Sequence, residues 1–439
     1  MSELAASDDR VKVVNKIKNE GTHLARRTGV LNSTGDYIYL LDADDSLPDG
    51  CLKLLADAIA KTDADMFHFG INVIDVDINE QDLLAFESYI NKPMNDLEGI
   101  EICRAAYDSG EGFLQDWRIT QRVYKSDLLK RAYEAMTTDR LGRAQDGYEY
   151  FVVSSLATKQ VTHNDIVALN YYYGRGVNSD SELAPEKFLQ SAQHFQMTID
   201  AIKDYASGDS DLSACAQSGS EKLYDLIMND WLLRLSERNK LVVLPELSEI
   251  FGNGELSNQL ARLARDGAYQ KVTEESPLDV KAPYYLWLKE ALKCASLAGE
   301  TDTLAGSYLH DAIHHVITLG FNFLKETGKT TVIDELVDEF GSFHVAETLY
   351  TLIRDAAYDM YMQDLSIEDD FRLYDWLKLA DSIACNDKRS DLDAIRHEAI
   401  VHISELEHRA GMISDYPLQF GLAKKRLRIE GHSHLCDNP

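Results

Sequence analysis

The chain has 439 residues, of which 45% are hydrophobic and 27% charged, with a formal net charge of −30 and a pI near 4.7. That length predicts two or three domains. The acidity argues against nonspecific nucleic-acid binding, which needs a basic surface to neutralise phosphates, and against attraction to anionic lipid over most of the surface.

Six cysteines, none close to another, make neither a zinc pattern nor a dense disulfide framework, and predict reduced thiols in a cytoplasmic protein. No N-terminal apolar stretch resembles a signal peptide, and no run approaches the roughly 20 apolar residues of a membrane span.

In chain order, residues 11–14 read as a short strand. Asn19-Glu20-Gly21 marks a turn, and Thr22 is placed to cap a helix running to about Ser33. Gly35-Asp36-Tyr37-Ile38-Tyr39-Leu40-Leu41 then reads as a buried strand. It stops abruptly in Asp42-Ala43-Asp44-Asp45-Ser46-Leu47-Pro48. A strand that delivers clustered carboxylates to its C-terminal end suits a hard cation, which takes few protein oxygens and fills its shell with water and phosphate. An acidic turn that only solvates a loop fits the same residues.

Pro48 opens a further helix, with Leu52, Leu55, Ala58 and Ile59 on one face. Residues 64–70 then read as the next strand. This alternation predicts an α/β sheet with parallel members. Residues 75–95 are acidic and irregular. Helices are expected at 97–108, 126–136 and 146–157, and strands near 117–124 and at 166–173, the latter led into by residues 161–165. After residue 182 strand-like runs nearly vanish, and apolar positions recur at three and four. Helices are expected at 185–205, 212–238, 245–251, 256–269, 280–296, 303–327, 332–340, 346–362, 371–385 and 392–412, with no strict repeat. Residues 416–439 form the one basic, amphipathic patch, with Lys424, Lys425, Arg426 and Arg428 beside Phe420, Leu422, Leu427 and Ile429. They fit a surface helix or tail, or a peripheral contact with a membrane or acidic partner through 416–429.

Several landmarks in the first 182 residues, taken in order, resemble family 2 glycosyltransferases of the GT-A fold. They are Lys18-Asn19-Glu20-Gly21 with Ala25-Arg26-Arg27-Thr28-Gly29; Thr34-Gly35-Asp36-Tyr37-Ile38 with Leu41-Asp42-Ala43-Asp44-Asp45; Arg122-Val123-Tyr124-Lys125; Gln145-Asp146; and Tyr171-Tyr172-Tyr173-Gly174-Arg175 with Ser179. The resemblance implies a partial GT-A sheet domain over 1–182, an all-α domain over 183–415 and the tail 416–439. It implies that Asp42 and Asp44 are a DXD pair holding Mn²⁺ or Mg²⁺ against the diphosphate of a nucleotide-sugar donor. Asp45 would assist, Arg26 would contact donor phosphate or nucleoside, and Asp146 would be the general base of an inverting transfer to a glycan or cell-surface polymer. Arg122 and Arg175 would contact phosphate or acceptor, or lie at the surface.

Asp146 followed by Glu149 also reads as a helix capping box, which is compatible with a base held at a helix N-terminus. The sequence departs from the family pattern at Arg27, at Gln145 and after the tyrosines. The family's first strands, which contact the nucleoside, would lie before residue 11, so the resemblance implies an N-terminally truncated domain. A competing expectation follows: a non-catalytic remnant acting as an interaction protein through its helical half. The helical sequence leaves acceptor binding, oligomerisation and membrane docking open.

Overall fold

A computed structural model describes residues 2–74, 80–92, 95–108, 115–172, 182–299, 308–365, 372–385 and 390–413. The chain divides into two compact units, Met1–Ile250 and Phe251–Pro439.

The first unit holds α1 (Ser2–Ser7), α2 (Gly21–Asn32), β1 (Tyr37–Tyr39), α3 (Cys51–Ile59), β2 (Met66–Ile74), α4 (Glu80–Ile90), β3 (Leu97–Glu98), α5 (Glu101–Tyr107), a 3₁₀ turn (Ile119–Gln121), β4 (Arg122–Lys125), α6 (Ser126–Ala135), α7 (Gln145–Leu156) and β5 (Lys159–Tyr172). The strands form one sheet in the order β1-β4-β2-β5-β3. Only β2 and β5 run parallel, and the other neighbours are antiparallel. The sheet is therefore mixed rather than mainly parallel: β4 enters between β1 and β2 in the opposite sense, which a strand-helix-strand pattern cannot reveal.

The central strand β2 is buried along six consecutive residues. Its Phe67, Phe69, Ile71 and Val73 join Cys51, Leu55, Ile90, Val123, Val161 and Leu169 in the core. A bulge in β5 presses on it, so a Cβ at Gly70 would sit 2.6 Å from the Asn164 carbonyl oxygen. Only glycine fits there.

Residues 11–14 form no strand. They are irregular, with Val13 and Val14 exposed, because no described strand pairs with them. The α2 helix opens on Gly21, whose N–H donates to Asn19 Oδ1 at 2.9 Å, and Thr22 lies inside the helix rather than capping it. β1 occupies a sheet edge. Beside it a groove of about 630 Å³ is lined by Tyr37, Tyr39, Leu52, Leu55, Ile59 and Val123.

Four more helices complete the unit: α8 (Pro185–Ala206), α9 (Ser210–Arg234), α10 (Glu237–Val242) and α11 (Leu244–Phe251). Pro185 starts α8 at a position where its missing N–H costs nothing, and Asp209 caps α9 by accepting from the Asp211 and Leu212 N–H groups. These helices were expected to belong to the all-α part, yet they pack on the sheet region. Thr198 Oγ1 donates to the Arg143 carbonyl at 2.8 Å, Arg104 pairs with Asp211 at 2.8 Å, and the Tyr107 ring lies against Gly219. The compact unit thus extends to residue 250, well beyond the last strand.

The second unit is helical: α12 (Asn253–Thr273), α13 (Pro283–Ala298), α14 (Tyr308–Thr327), α15 (Thr331–Phe340), α16 (Ser342–Met362), α17 (Arg372–Ala384) and α18 (Ser390–Ile413). α12 packs on α13 and α14, and α16 packs on α17 and α18. Phe321 meets Trp376 edge-on at 4.5 Å. An α/β sheet domain followed by helices is the expected fold class, and it is what forms.

Among the described residues no helix is long and apolar enough to cross a membrane. Cys51, Cys103, Cys215 and Cys294 are free and buried, as expected of reduced thiols, whereas Cys385 is disulfide-bonded. Arg175, Ser179 and the basic segment 416–439 lie outside the described residues.

Candidate functional site

β1 ends at Tyr39 and the chain turns through the acidic tip. An antiparallel bridge between Ser46 and Asn170 ties the tip to β5, with the Ser46 N–H donating to the Asn170 carbonyl at 3.2 Å and the Asn170 N–H returning at 2.8 Å. The Tyr172 N–H donates to Asp45 Oδ1 at 3.2 Å. The tip is thereby fixed to the C-terminal end of a long strand rather than left as a free loop. Asp44 is exposed, and Asp42 and Asp45 are half-buried.

Asp42 is held from α2. Arg26 Nη2 donates to both of its oxygens at 2.9 Å, while Arg26 Nη1 donates to Glu149 Oε2 at 2.8 Å. Burial works against the charge on Arg26, but the carboxylates of Glu149 and Asp42 outweigh it and raise its pKa. Arg26 Nε is buried with no partner.

Glu149, fully buried on α7, also meets His23 Nδ1 at 2.9 Å, and His23 Nε2 stands 3.0 Å from the Thr137 carbonyl oxygen. That carbonyl can only accept, so Nε2 carries a proton. His23 and Arg26 lie three residues apart on one face of α2 and both grip Glu149.

The same helix α7 carries Asp146 in its first turn. The expected capping box does not form. Ala144, in a left-handed conformation at φ 53°, precedes the helix, and Glu149 turns inward to His23 and Arg26 instead of back to the helix start. Asp146 Oδ1 accepts from the Gly147 N–H at 3.1 Å. Burial pushes the Asp146 carboxyl above its ordinary pKa. Arg26 and Arg118 oppose that shift, while Asp116 and Glu149 add to it. Asp45 is pushed up to about 6, first by burial against the pull of the Tyr172 N–H, then by Asp44 and Asp42; Arg118 opposes this.

Arg26 and Arg118 therefore act on the tip and on Asp146 alike. Arg118 itself lies over the Tyr171 ring at 4.4 Å and 3.6 Å from Asp116. Asp42, Asp45, Asp146, Asp116, Arg26 and Arg118 share one electrostatic neighbourhood, and Asp44 joins it through Asp45.

Arg122 does not reach this group. It is completely buried, donates to the Arg118 and Asp116 carbonyls at 2.7 Å and to Gln115 at 2.9 Å, and lies 4.0 Å from the centroid of the Tyr150 ring. Its donors are spent inside the fold, so the expected phosphate or acceptor contact is corrected to a structural one.

His23, Asp116, Arg118 and the inward role of Glu149 were not found from sequence. The polar spacing of His23 and Arg26 on one helix face was the available signal.

Asp42, Asp44 and Asp45 offer oxygen donors, the ligand type that suits Mg²⁺ or Mn²⁺, but their ligand atoms do not all lie within 4.8 Å of one another. Asp44 and Asp42 add to the rise that burial imposes on Asp45, so negative charge accumulates at the tip, where a cation is favoured.

Among solved structures, the chain is similar to S. aureus TarS 1–349 in complex with UDP-GlcNAc. The identity is 14% and the TM-score 0.42, over 68% of this chain and 78% of that one. It is also similar to S. aureus TarS at 14% identity and TM-score 0.38, over 71% of this chain and 46% of that one. A third structure, TarS 1–349 in complex with UDP, is 13% identical with a TM-score of 0.36, over 72% and 74%. No curated protein matches the chain. Residues 1–115 match the family model described as "Glycosyl transferase family 2". That segment contains α2, Arg26 and the acidic tip.

Proposed function

We propose that the sheet-bearing unit transfers a sugar, with inversion, from a nucleotide-diphosphate donor to a hydroxyl of a glycan or cell-surface polymer. The observation that carries this reading is the Arg26 bridge. One guanidinium ties Asp42 of the tip to Glu149 of α7, the helix whose first turn holds Asp146. The tip and α7 are thereby tied by one ion network, buried at Glu149 and half-exposed at Asp42.

Asp42 and Asp44, assisted by Asp45, would hold Mg²⁺ or Mn²⁺. When bound, the ion neutralises the charge that develops on the leaving diphosphate. Arg26 holds Asp42 in place, and its positive charge favours a phosphate at the tip. Asp146 takes the proton from the acceptor hydroxyl. The acceptor oxygen attacks the anomeric carbon, the bond from that carbon to the diphosphate oxygen breaks, and its electron pair leaves with the diphosphate. A single displacement inverts the anomeric centre. Burial raises the pKa of Asp146 above its ordinary carboxylate value, which makes the carboxylate a better base.

The test is turnover of a panel of nucleotide sugars with Mn²⁺, comparing wild type with Asp44→Ala and Asp146→Asn. Asp146→Asn should lower kcat about 10²- to 10⁴-fold with circular dichroism unchanged. Asp44→Ala should raise the Mn²⁺ concentration needed for half-maximal rate. Unchanged turnover in both variants would remove these roles. An inert wild type would favour the interaction-protein reading, for which the Arg26–Asp42 pair is simply a structural tie.

A further inference from the structure

The helical unit holds a second cluster of ligand-type side chains, unrelated to the acidic tip in chemistry. α14 carries His310 near its start. α16, which packs against α14, carries His344 and Glu347 three residues apart and so on one helix face. One ligand atom from each of the three side chains lies within 4.8 Å of the other two. Among the described residues this is the only set of three such side chains that converges so closely.

All three are half-buried, and the two imidazole rings meet edge-on with centroids 5.9 Å apart. His344 Nδ1 is buried and makes no hydrogen bond. Glu347 Oε2 stands 3.9 Å from it, too long for a hydrogen bond between the two. An ordinary His–Glu pair would have closed that gap. Left as it is, a buried ring nitrogen goes unsatisfied, which costs free energy unless another group supplies the partner.

We propose that His310, His344 and Glu347 bind a transition-metal ion of the Zn²⁺ class and that this ion staples α14 to α16. Two imidazoles and one carboxylate suit zinc, whereas Mg²⁺ and Ca²⁺ prefer oxygen throughout. Tetrahedral zinc with bonds of about 2.0–2.2 Å needs ligand atoms roughly 3.3 Å apart. The ligand atoms, already within 4.8 Å of one another, need to close by no more than about 1.5 Å. Water fills the fourth position.

His314 lies one turn along α14 from His310, where the charges of His310 and Glu347 both reach it. α15 connects α14 to α16 in sequence. The ion therefore closes a loop through the chain and adds stability in the way a cross-link does.

The experiment is calorimetric titration of the full-length chain, free of any polyhistidine tag, with ZnCl₂ alone in a non-chelating buffer. Cobalt titration followed by visible absorption accompanies it. One site of micromolar or tighter affinity is expected, together with the d–d bands of tetrahedral Co²⁺. His310→Ala with His344→Ala should abolish both. Glu347→Gln keeps the side-chain shape and should weaken zinc at least about tenfold with circular dichroism unchanged. Asp42→Asn with Asp44→Asn should retain the zinc isotherm and the cobalt bands. Absence of saturable zinc binding overturns the proposal. So does equal affinity in the double-histidine variant, or loss of binding only in the Asp42 and Asp44 variant.

Discussion

The sheet-bearing unit and the helical unit bury different things. In residues 1–250 the buried polar side chains include His23, His68, Arg122, Glu149 and Lys240. In the described part of the second unit they are Ser257, Gln259, Thr318, Asn322 and Thr348, none of which carries a charge. A buried charge is costly unless paired, so a unit held together only by packing has no reason to contain one. The first unit bears that cost where charges fix the acidic tip and α7. The second is held by apolar volume, and among its described residues the one convergence of ligand-type side chains is half-buried rather than sealed in. The difference teaches that the first unit is organised around electrostatic positioning and the second around packing.

The strongest way to break that comparison is to remove Glu149. Its two oxygens meet His23 at 2.9 Å and Arg26 at 2.8 Å, and no water reaches them. Glu149→Ala leaves the guanidinium and the imidazole buried without their shared partner. A loss of about 3–5 kcal/mol of unfolding free energy is expected, measured by urea denaturation. A loss under about 1 kcal/mol would show that the network is loosely hydrated and that the first unit does not depend on it.

This network also marks where sequence reading reached its limit. The tip, α2, α7 and nearly every helix after residue 182 were legible, because each is a local pattern: an apolar run ending in carboxylates, or a recurrence at three and four. The pairing of His23 with Glu149 spans 126 residues, and nothing local in either segment announces it. Glu149 read as a capping partner of Asp146 because the spacing fitted. Tertiary contact offered it a stronger partner, a charged guanidinium inside the fold.

Arg122 read as a surface or ligand residue because arginines are mostly exposed. Its burial depends on Gln115 and Tyr150 arriving from other elements. The mixed strand order was illegible for the same reason: β4 pairs with β1 and β2 across long intervals of sequence. Residues 11–14 had the composition of a strand but no described partner, and a strand is a property of a pair.

The comparison is sharpened from the other side by Leu349 of α16, which is completely buried. Leu349→Ala leaves a cavity and should cost about 2–5 kcal/mol. Leu349→Met, which conserves volume, should cost less than about 1.5 kcal/mol. Because no ionisable group is removed, both costs should be the same at pH 5.5 and pH 7.5 in guanidinium unfolding. A cavity cost that changed with pH would mean that buried charge matters to the second unit as well.

The smallest predicted effect separates the units by acid sensitivity. His68 lies in β2, opposite Arg122 of β4 in the sheet register, and its Nδ1 is buried without a partner. Burial first, and then the charge of Arg122, lower its pKa well below 6.5. The native state therefore keeps His68 neutral, while the unfolded chain takes up a proton as pH falls through about 6.5. Below that pH the unfolded state binds more protons, so stability falls with acidification. One such histidine removes about 1.4 kcal/mol between pH 7.5 and pH 5.5. His68→Leu cannot take up that proton, so its loss over the same interval should be smaller than that of wild type by this amount. Leu349→Ala should keep the full wild-type acid loss. The readout is the difference of two differences, which cancels the other groups that titrate in the interval. An acid loss in His68→Leu equal to that of wild type would show that the histidine is protonated in the folded sheet, and that Arg122 does not hold it neutral.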